Sequence, residues 1–308
     1  MKPMSSILAT IVLFCLATHA SANSEERSKL LDSVKSWAYQ LKDVTQEKVD
    51  KIAASPYDMI IMDSSMFPDG KEIRLTCEQV ESMKKKPDGG RRIIISYFSA
   101  GEAEDFRYYW KPEWNKKKPE WVYKADKDWK GDYIVRYWYP EWQKHMFGSQ
   151  DALIDRILDA GFDGLMIDRV DAYYYFGDTD ERREQMIEFV KKMSGYIRSK
   201  SPNTILIGQN AEELLPNQTY LDSIDAITKE DLVFGIKHNS TRNGEDEIDY
   251  STKLLAGAKS KGKHVFVVEY LTNKKDIATV REFHKKHNFV TYIGRQRDLY
   301  ELSGAVNE

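Results

Sequence analysis

The sequence predicts an α/β protein with a single-domain (β/α)8 architecture, the TIM barrel. From about residue 30 onward, short apolar runs alternate with amphipathic stretches that are long enough for helices. This alternation is typical of βαβ units and a parallel sheet. No stretch rich in Pro, Gly or Ser divides the chain, and 308 residues fit one domain of this kind.

Nine apolar runs qualify as strands, one more than a barrel of eight needs. They are rich in β-branched and aromatic residues and are bounded by polar or turn residues. In chain order they are Trp37–Leu41, Asp58–Met62, Arg92–Phe98, Ile134–Tyr139, Gly164–Asp168, Thr204–Gln209, Ile224–Lys229, Val265–Tyr270 and Phe289–Ile293. The pattern alone does not decide which of the nine lies outside the barrel.

Helices are expected between these runs, and capping residues mark where several of them begin. The candidate caps are Thr76, Ser149 or Asp151, and Ser251 or Thr252. The longest predicted helix covers residues 181–198, and Pro202 ends it.

A doubly wound open sheet is the main alternative to the barrel. Such sheets often carry a Gly-rich first turn for a nucleotide, and no G-x-G-x-x-G follows any predicted strand here. The segment 99–133 is long and rich in Trp, Tyr, Lys and Pro, and it is expected to form an extended loop over the mouth of the barrel.

The N-terminus carries the features of a secretory signal peptide. Lys2 precedes an apolar run over residues 7–17, and Ala20-Ser21-Ala22 follows as an A-x-A cleavage pattern. We therefore expect a signal peptide over residues 1–22, a barrel domain over residues 23–308, and a secreted or periplasmic protein. An uncleaved membrane anchor is the alternative, but the run is short for a bilayer span.

Composition narrows the classes of partner. The chain has 46 basic and 49 acidic side chains, a formal net charge of −3, so nothing favours nucleic acid. After cleavage Cys77 is the one remaining cysteine, which excludes an internal disulfide. The 7 Trp and 18 Tyr can fill a core or stack on sugar rings.

Polar side chains cluster at the ends of the predicted strands, where barrel enzymes carry their chemistry. In chain order these side chains are Asp63, Glu102, Asp168 with Asp171, Gln209 with Asn210, Glu230 and Glu269. A single Asp after a strand often caps a helix, and Asp171 fits that role. Several carboxylates that converge repel one another, and this repulsion raises the pKa of some of them. Such a site can keep one acid protonated beside an ionised partner. Glycoside hydrolysis needs that pair.

Five segments resemble a known family. They are "YFSAGEAEDFRYYW" (97–110), "VRYWYPEWQ" (135–143), "GFDGLMIDRVDAY" (161–173), "IGQNAEEL" (207–214) and "IDAITKEDLVF" (224–234). In this order they resemble glycoside hydrolase family 114, the endo-α-1,4-polygalactosaminidase-like TIM barrels. The resemblance implies endo-acting, retaining cleavage of α-1,4-linked galactosamine polymers of exopolysaccharide. It also implies that Asp168 is the nucleophile and Glu230 the general acid/base.

The remaining strand-end residues are candidates for substrate binding. Asp63, Glu102 and Glu269 would attract a cationic amino sugar. For Asp63 and Glu102 the alternative is that they satisfy buried backbone and Arg groups inside the barrel mouth. The candidates for stacking on sugar rings are Tyr97, Trp138 and Tyr173, and the candidates for binding hydroxyls are Gln209 and Asn210.

No cofactor or metal is predicted. The chain has no HExxH or GxSxG motif, and "GAKSKGK" (257–263) precedes a strand where a phosphate loop would follow one. Two other functions remain open. One is a non-catalytic barrel that binds matrix polysaccharide, and the other is a metal-dependent hydrolase that uses Asp63, Asp168 and Asp171 as oxygen ligands.

Overall fold

The computed structural model describes residues 22–238, 241–297, 299 and 302, and it confirms the barrel. Eight parallel strands follow one another around the sheet in chain order. They are β1 (Trp37–Gln40), β2 (Met59–Asp63), β3 (Ile93–Ser99), β4 (Gly164–Asp168), β5 (Ile205–Gln209), β6 (Ala226–Glu230), β7 (His264–Tyr270) and β8 (Val290–Gly294). The predicted signal peptide lies outside the described residues except for its last position, Ala22.

Aromatic side chains fill the seam between the first and last strands of the barrel. The Trp37 indole N–H donates to the Val290 carbonyl across this seam at 3.0 Å. Tyr292 of β8 lies 5.5 Å from the Trp37 ring and 6.2 Å from the Tyr39 ring, measured between centroids. These contacts bring β1 and β8 together and nearly close the barrel.

The run Ile134–Tyr139 is the surplus strand. Its first part belongs to the strand Asp132–Val135, which pairs antiparallel with Glu102–Glu104 and Val122–Ala125 in a separate small sheet. A parallel barrel strand needs a crossover helix before it, and no α-helix lies between β3 and this run. The run is apolar because Ile134, Val135 and Tyr137 are buried within the insertion, the segment 100–139 that carries the small sheet.

The segment 99–133 is therefore more ordered than the extended loop that was predicted. It forms two of the three strands of the small sheet and a 3-10 turn over Pro112–Asn115. The small sheet brings Glu102 and Glu104 of one strand and Asp132 of another to the cavity at the barrel mouth. Because the surplus run is not a barrel strand, Gly164–Asp168 is the fourth strand of the barrel and not the fifth.

Helices surround the barrel. Residues 22–32 are helical and form α1. The others are α2 (Gln46–Ala53), α3 (Cys77–Lys84), α4 (Pro140–Met146), α5 (Leu153–Asp159), α6 (Asp180–Lys200), α7 (Gln218–Ser223), α8 (Glu245–Ser260) and α9 (Lys274–Lys286). Shorter elements are the antiparallel pair Ser65–Met66 and Ile73–Arg74 and the 3-10 turns Pro68–Gly70, Val170–Phe176 and Glu212–Leu214. Within the described residues, no helix is both long and apolar enough to cross a membrane.

One of the three predicted caps is confirmed. Thr76 forms a capping box with Gln79 at the start of α3. The cap of α5 is Ala152, which makes no side-chain hydrogen bond, so neither Ser149 nor Asp151 serves. The third prediction is wrong because α8 begins at Glu245, well before Ser251 and Thr252.

Gly164 begins β4 and permits the close approach of its neighbours. A Cβ at this position would lie 2.4 Å from the carbonyl oxygen of Ile205 and 2.7 Å from the Ile95 side chain. Both partners belong to adjacent strands, so a larger residue would push β4 away from β3 and β5. The strand that ends in Asp168 therefore depends on this glycine for its position.

Candidate active site

The carboxyl ends of the barrel strands open into a cavity of about 1150 Å³. Its strand residues include Tyr39, Asp63, Tyr97, Met166, Asp168, Gln209 and Glu230. The small sheet contributes Glu102, Glu104 and Asp132, and the connections contribute Lys42, Phe67, Phe106, Trp129, Arg169, Asp171, Asn210 and Arg297. This is the end of the barrel at which barrel enzymes place their chemistry.

Asp168 ends β4 and receives two hydrogen bonds on its carboxylate. The Tyr97 hydroxyl donates to Oδ2 at 2.9 Å, and the backbone N–H of Arg169 donates to Oδ1 at 2.7 Å. Tyr97 extends from the neighbouring strand β3, so the barrel itself supplies this donor. Both partners donate, an arrangement that suits an ionised carboxylate held in one orientation.

Glu230 ends β6, two strands from Asp168, and its surroundings differ. The Tyr270 hydroxyl donates to Oε1, and the Asn210 amide donates to Oε2 at 3.4 Å. Burial raises the pKa of Glu230, and the nearby Asp168 charge raises it further, whereas the Tyr270 hydrogen bond and Arg297 lower it. A carboxyl with a raised pKa beside an ionised one can hold a proton to donate.

The residues that follow these strand ends adopt left-handed backbone conformations. Arg169 has a φ of 57°, Asn210 of 53° and Asp231 of 56°. Each such non-glycine residue costs about 1–2 kcal/mol, so the surrounding contacts must hold it. Asn210 Oδ1 accepts from the Glu230 backbone N–H at 3.0 Å, and Arg297 binds Asp231 through two bonds of 2.8 Å. The strained turns therefore hold the ends of β4, β5 and β6 in fixed positions.

Glu102 lies in the cavity wall beside Arg169. Its Oε2 is 2.8 Å from Arg169 Nε, and its side chain is buried. Burial and the neighbouring Asp126 and Asp168 carboxyls raise the pKa of Glu102 to about 9, against the opposing effect of Arg169. Burial acts to raise the pKa of Asp126, but the hydrogen bond from Glu102 and other contacts lower it, and the net shift is downward. With its pKa raised this far, Glu102 keeps its proton near neutral pH.

Two more acids line the cavity with raised pKa values. Burial and the Asp168 charge raise the pKa of Asp171 to about 6. Burial and the Glu104 charge raise the pKa of Asp132 to about 8. Sequence reasoning treated Asp171 as a probable cap, but the structure brings it into the cavity.

Asp63 reaches the cavity but is already bound to other side chains. Arg107 donates to its two carboxylate oxygens at 2.9 and 2.6 Å, and the Ser65 backbone N–H donates to Oδ1 at 2.8 Å. Arg107 also donates to Glu104 at 2.6 Å. Of the two roles that the sequence left open for Asp63, these contacts favour the partner of a buried Arg.

Gln209 and Tyr97 lie where the sequence predicts them, at the cavity surface. Gln209 Oε1 accepts from the Tyr39 hydroxyl at 3.2 Å and from the Thr228 hydroxyl. These bonds orient the amide so that its nitrogen is the remaining donor. Asn210 also lines the cavity, and its amide connects β5 to Glu230.

Three predicted binding residues do not line the cavity. Tyr173 is fully buried, and the Arg183 guanidinium of α6 lies 5.2 Å from its ring centroid. Trp138 lies on the insertion, where the Arg182 guanidinium covers its ring at 3.9 Å and Phe176 contacts its edge. The run Ile134–Tyr139, which contains Trp138, is not a barrel strand. The prediction that Trp138 lies at a barrel strand end is therefore wrong.

Glu269 is the third residue, and its role is to hold a loop. It is fully buried, and its carboxylate accepts from the backbone N–H groups of Val233 at 2.7 Å and Phe234 at 3.1 Å. Its side chain precedes the strand end by one residue and therefore points to the opposite face from Tyr270. Alternation along the strand explains why Tyr270, and not Glu269, contacts Glu230.

Glu269→Ala is expected to reduce the free energy of unfolding by about 3 kcal/mol, because two buried backbone donors lose their acceptor. Urea denaturation measures this change. Glu282→Ala is the matched control, since Glu282 is an exposed residue of α9. A Glu269→Ala protein as stable as the control would contradict this role.

Sequence reasoning missed Tyr270, which contacts Glu230, and the cavity residues Arg297 and Trp129. Tyr270 carried a signal, since it ends the predicted eighth strand. Arg297 and Trp129 lie in loops without a periodic pattern, so nothing in the sequence pointed to them. Trp129 faces Lys42 across the cavity mouth, with the ammonium 4.4 Å from the ring centroid.

A metal centre of Asp63, Asp168 and Asp171 finds no support in the arrangement. Asp63 is bound to Arg107. In the part of the chain that the structure describes, no group of three His, Cys, Asp or Glu side chains is arranged to hold a metal ion.

The barrel carries two carboxyl groups with different surroundings at the carboxyl ends of its strands. This combination of fold and site is that of the TIM-barrel glycoside hydrolases. The chain belongs to glycoside hydrolase family GH114, whose family model matches residues 17–307. An uncharacterized protein of Methanocaldococcus jannaschii is 35% identical over 284 residues, covering 87% of this chain and 78% of the relative. A Deinococcus radiodurans protein is 29% identical over 273 residues, covering 88% and 83%.

Solved structures show the same fold. The glycoside hydrolase domain of PelA from Pseudomonas aeruginosa superposes with a TM-score of 0.64 at 14% identity, covering 87% of this chain and 97% of that domain. Aspergillus fumigatus Ega3, solved in complex with galactosamine, superposes with a TM-score of 0.60 at 20% identity, covering 85% and 91%. Membership of the family implies a carbohydrate substrate for this chain.

Proposed function

We propose that this chain is a secreted, endo-acting glycoside hydrolase that cleaves α-1,4-linked galactosamine-containing polysaccharide with retention of configuration. The observation that carries the proposal is the contrast between Asp168 and Glu230 in one cavity. Asp168 accepts two hydrogen bonds, whereas burial raises the pKa of Glu230. A retaining glycosidase needs such a nucleophile and such a proton donor.

In the first step, an Asp168 oxygen attacks the anomeric carbon as the glycosidic C–O bond breaks. The Glu230 proton moves to the leaving oxygen, and a glycosyl ester to Asp168 remains. In the second step, Glu230 takes a proton from water while the water oxygen attacks the anomeric carbon and Asp168 leaves as a carboxylate. Both carboxyls return to their starting states, and the anomeric configuration is retained.

The acidic lining supports an amino sugar as the substrate. Asp171 lies in this cavity, where burial and the nearby Asp168 charge raise its pKa to about 6. A protonated amine near these carboxylates would be attracted to the cavity. Ega3, which shares the fold, was solved with galactosamine bound. Secretion is supported by the signal pattern at residues 1–22.

Tyr270→Phe is expected to extend activity to higher pH. The Tyr270 hydroxyl lowers the pKa of Glu230, so its removal raises that pKa. Activity needs protonated Glu230 and is lost as pH rises through its pKa, so the alkaline limb of the kcat/KM profile moves upward. An unmoved limb would contradict the proton-donor role. Tyr196→Phe is the control, because the Tyr196 hydroxyl bonds to Asp155.

Product analysis tests the proposed function. The purified secreted protein is incubated with a de-N-acetylated α-1,4-galactosamine polymer. We expect new reducing ends, products of intermediate length and, by NMR, initial release of the α-anomer. Polymer binding without new reducing ends would identify a non-catalytic binding barrel, and initial release of the β-anomer would indicate inversion. N-terminal sequencing of the secreted protein tests cleavage after Ala22.

A further inference from the structure

Two phenylalanines, one exposed and one half-buried, form an aromatic pair on one side of the cavity. Phe67 and Phe106 both line it, with ring centroids 5.3 Å apart and ring planes at 86°. Phe106 is 40% exposed. Exposing an aromatic side chain forgoes the stabilisation that its burial would bring, so the pair calls for an explanation beyond packing.

A buried ion-pair network holds this aromatic pair in place. The Arg107 guanidinium lies 5.4 Å from the Phe67 ring and 5.3 Å from the Phe106 ring. Arg107 is itself buried and is bound by Asp63 and Glu104. The network fixes the chain at Arg107, next to Phe106, and at Asp63, which precedes Phe67. The two rings therefore face the cavity in a set orientation.

The pair lies on the side of the barrel away from Glu230, the proposed proton donor. Phe67 follows β2, and Phe106 belongs to the connection after β3. Glu230 ends β6, four strands from β2 around the sheet. The cavity volume of about 1150 Å³ slightly exceeds the roughly 300–1,000 Å³ that is usual for small-molecule sites. It leaves room for more than the sugar at the bond that is cleaved.

We propose that Phe67 and Phe106 form a stacking subsite for a pyranose ring of the polysaccharide, on the side of the cavity away from Glu230. The apolar face of a pyranose matches an aromatic ring, and the hydroxyls at its edge remain free to bind neighbouring polar groups. The subsite makes the enzyme prefer long chains to short ones. Asp63 acts through Arg107 as a positioning residue for this pair. The proposal rests on the hydrolase activity proposed above.

The test compares kcat/KM on the polymer and on a trisaccharide of the same sugar. For Phe106→Ala we expect a loss of about tenfold on the polymer and little change on the trisaccharide, the scale of one lost aromatic contact. Phe106→Tyr should retain the preference, and Phe106→Leu should lose it while keeping an apolar contact with Arg107. Phe176→Ala is the matched control, because Phe176 contacts Tyr123 and Trp138 on the insertion.

The outcomes separate the two proposals. Equal losses on both substrates, or no loss on either, would overturn the subsite. Binding of the polymer to Glu230→Gln protein, with and without Phe106→Ala, gives a second measurement that does not need turnover. We expect a Kd about tenfold weaker with Phe106→Ala, and an unchanged Kd would also overturn it. If the wild-type protein cleaves neither substrate, the proposed hydrolase activity fails, and the subsite for its polymer fails with it.

Discussion

Asp168→Asn is expected to lower kcat on the galactosamine polymer by at least about 10⁴-fold, the scale on which the loss of a nucleophile affects other hydrolases. The amide has the size of the carboxyl group but cannot form the glycosyl ester. The Tyr97 hydroxyl and the Arg169 backbone N–H can still bind its carbonyl oxygen or rearrange locally. Steady-state kinetics with reducing-end detection measures the change.

Two controls separate chemistry from folding in this variant. The thermal unfolding midpoint should stay close to that of the wild type, and Asp159→Asn, an exposed change on α5, should leave activity unchanged. A retaining mechanism also predicts that a slow substrate labels the wild-type protein on Asp168, which mass spectrometry detects. Activity within tenfold of the wild type would show that Asp168 is not the nucleophile.

Glu230→Gln is expected to lower kcat on the polymer by about 10²–10⁴-fold, the usual contribution of a general acid. The amide can still bind Tyr270 and Asn210, but it has no proton to donate to the leaving oxygen. The alkaline limb of the pH profile that belongs to Glu230 should disappear with it.

A substrate whose leaving group needs no proton separates acid catalysis by Glu230 from its other possible roles. On a dinitrophenyl galactosaminide the leaving group departs as a stable anion, so the first step should be nearly as fast in Glu230→Gln as in the wild type. A burst of dinitrophenolate followed by slow turnover is expected, because the second step still needs a base. Equal losses on both substrates would indicate that Glu230 positions the sugar instead. Glu282→Gln, on the exposed face of α9, is the control.

Most of the barrel could be predicted because its signals are local. Each βα unit has its own apolar run and its own amphipathic stretch, and the order of the strands follows from chain order. The run Ile134–Tyr139 was misassigned because burial as part of a small antiparallel sheet produces the same apolar pattern as burial in a barrel. Periodicity reports that a segment is buried, but not which partner covers it.

Helix beginnings were harder to predict than the helices themselves. The prediction that Thr76 caps α3 is confirmed, because the capping box is a four-residue pattern that is complete in the sequence. α8 begins instead where the Glu247 carboxylate accepts from the Gly244 backbone N–H at 2.9 Å. Several polar residues near that point could have served equally well, so the sequence did not distinguish them.

The sequence by itself determined the fold class, the family and the strand ends that carry Asp168 and Glu230, because these depend on patterns within short segments. Only the tertiary structure decided what each strand-end acid does. Asp63 binds Arg107, Glu269 binds a backbone loop, and Asp171 enters the cavity. The physical reason is that the role of a carboxyl group depends on its burial and on the donors around it. Those donors come from segments that are distant in the chain.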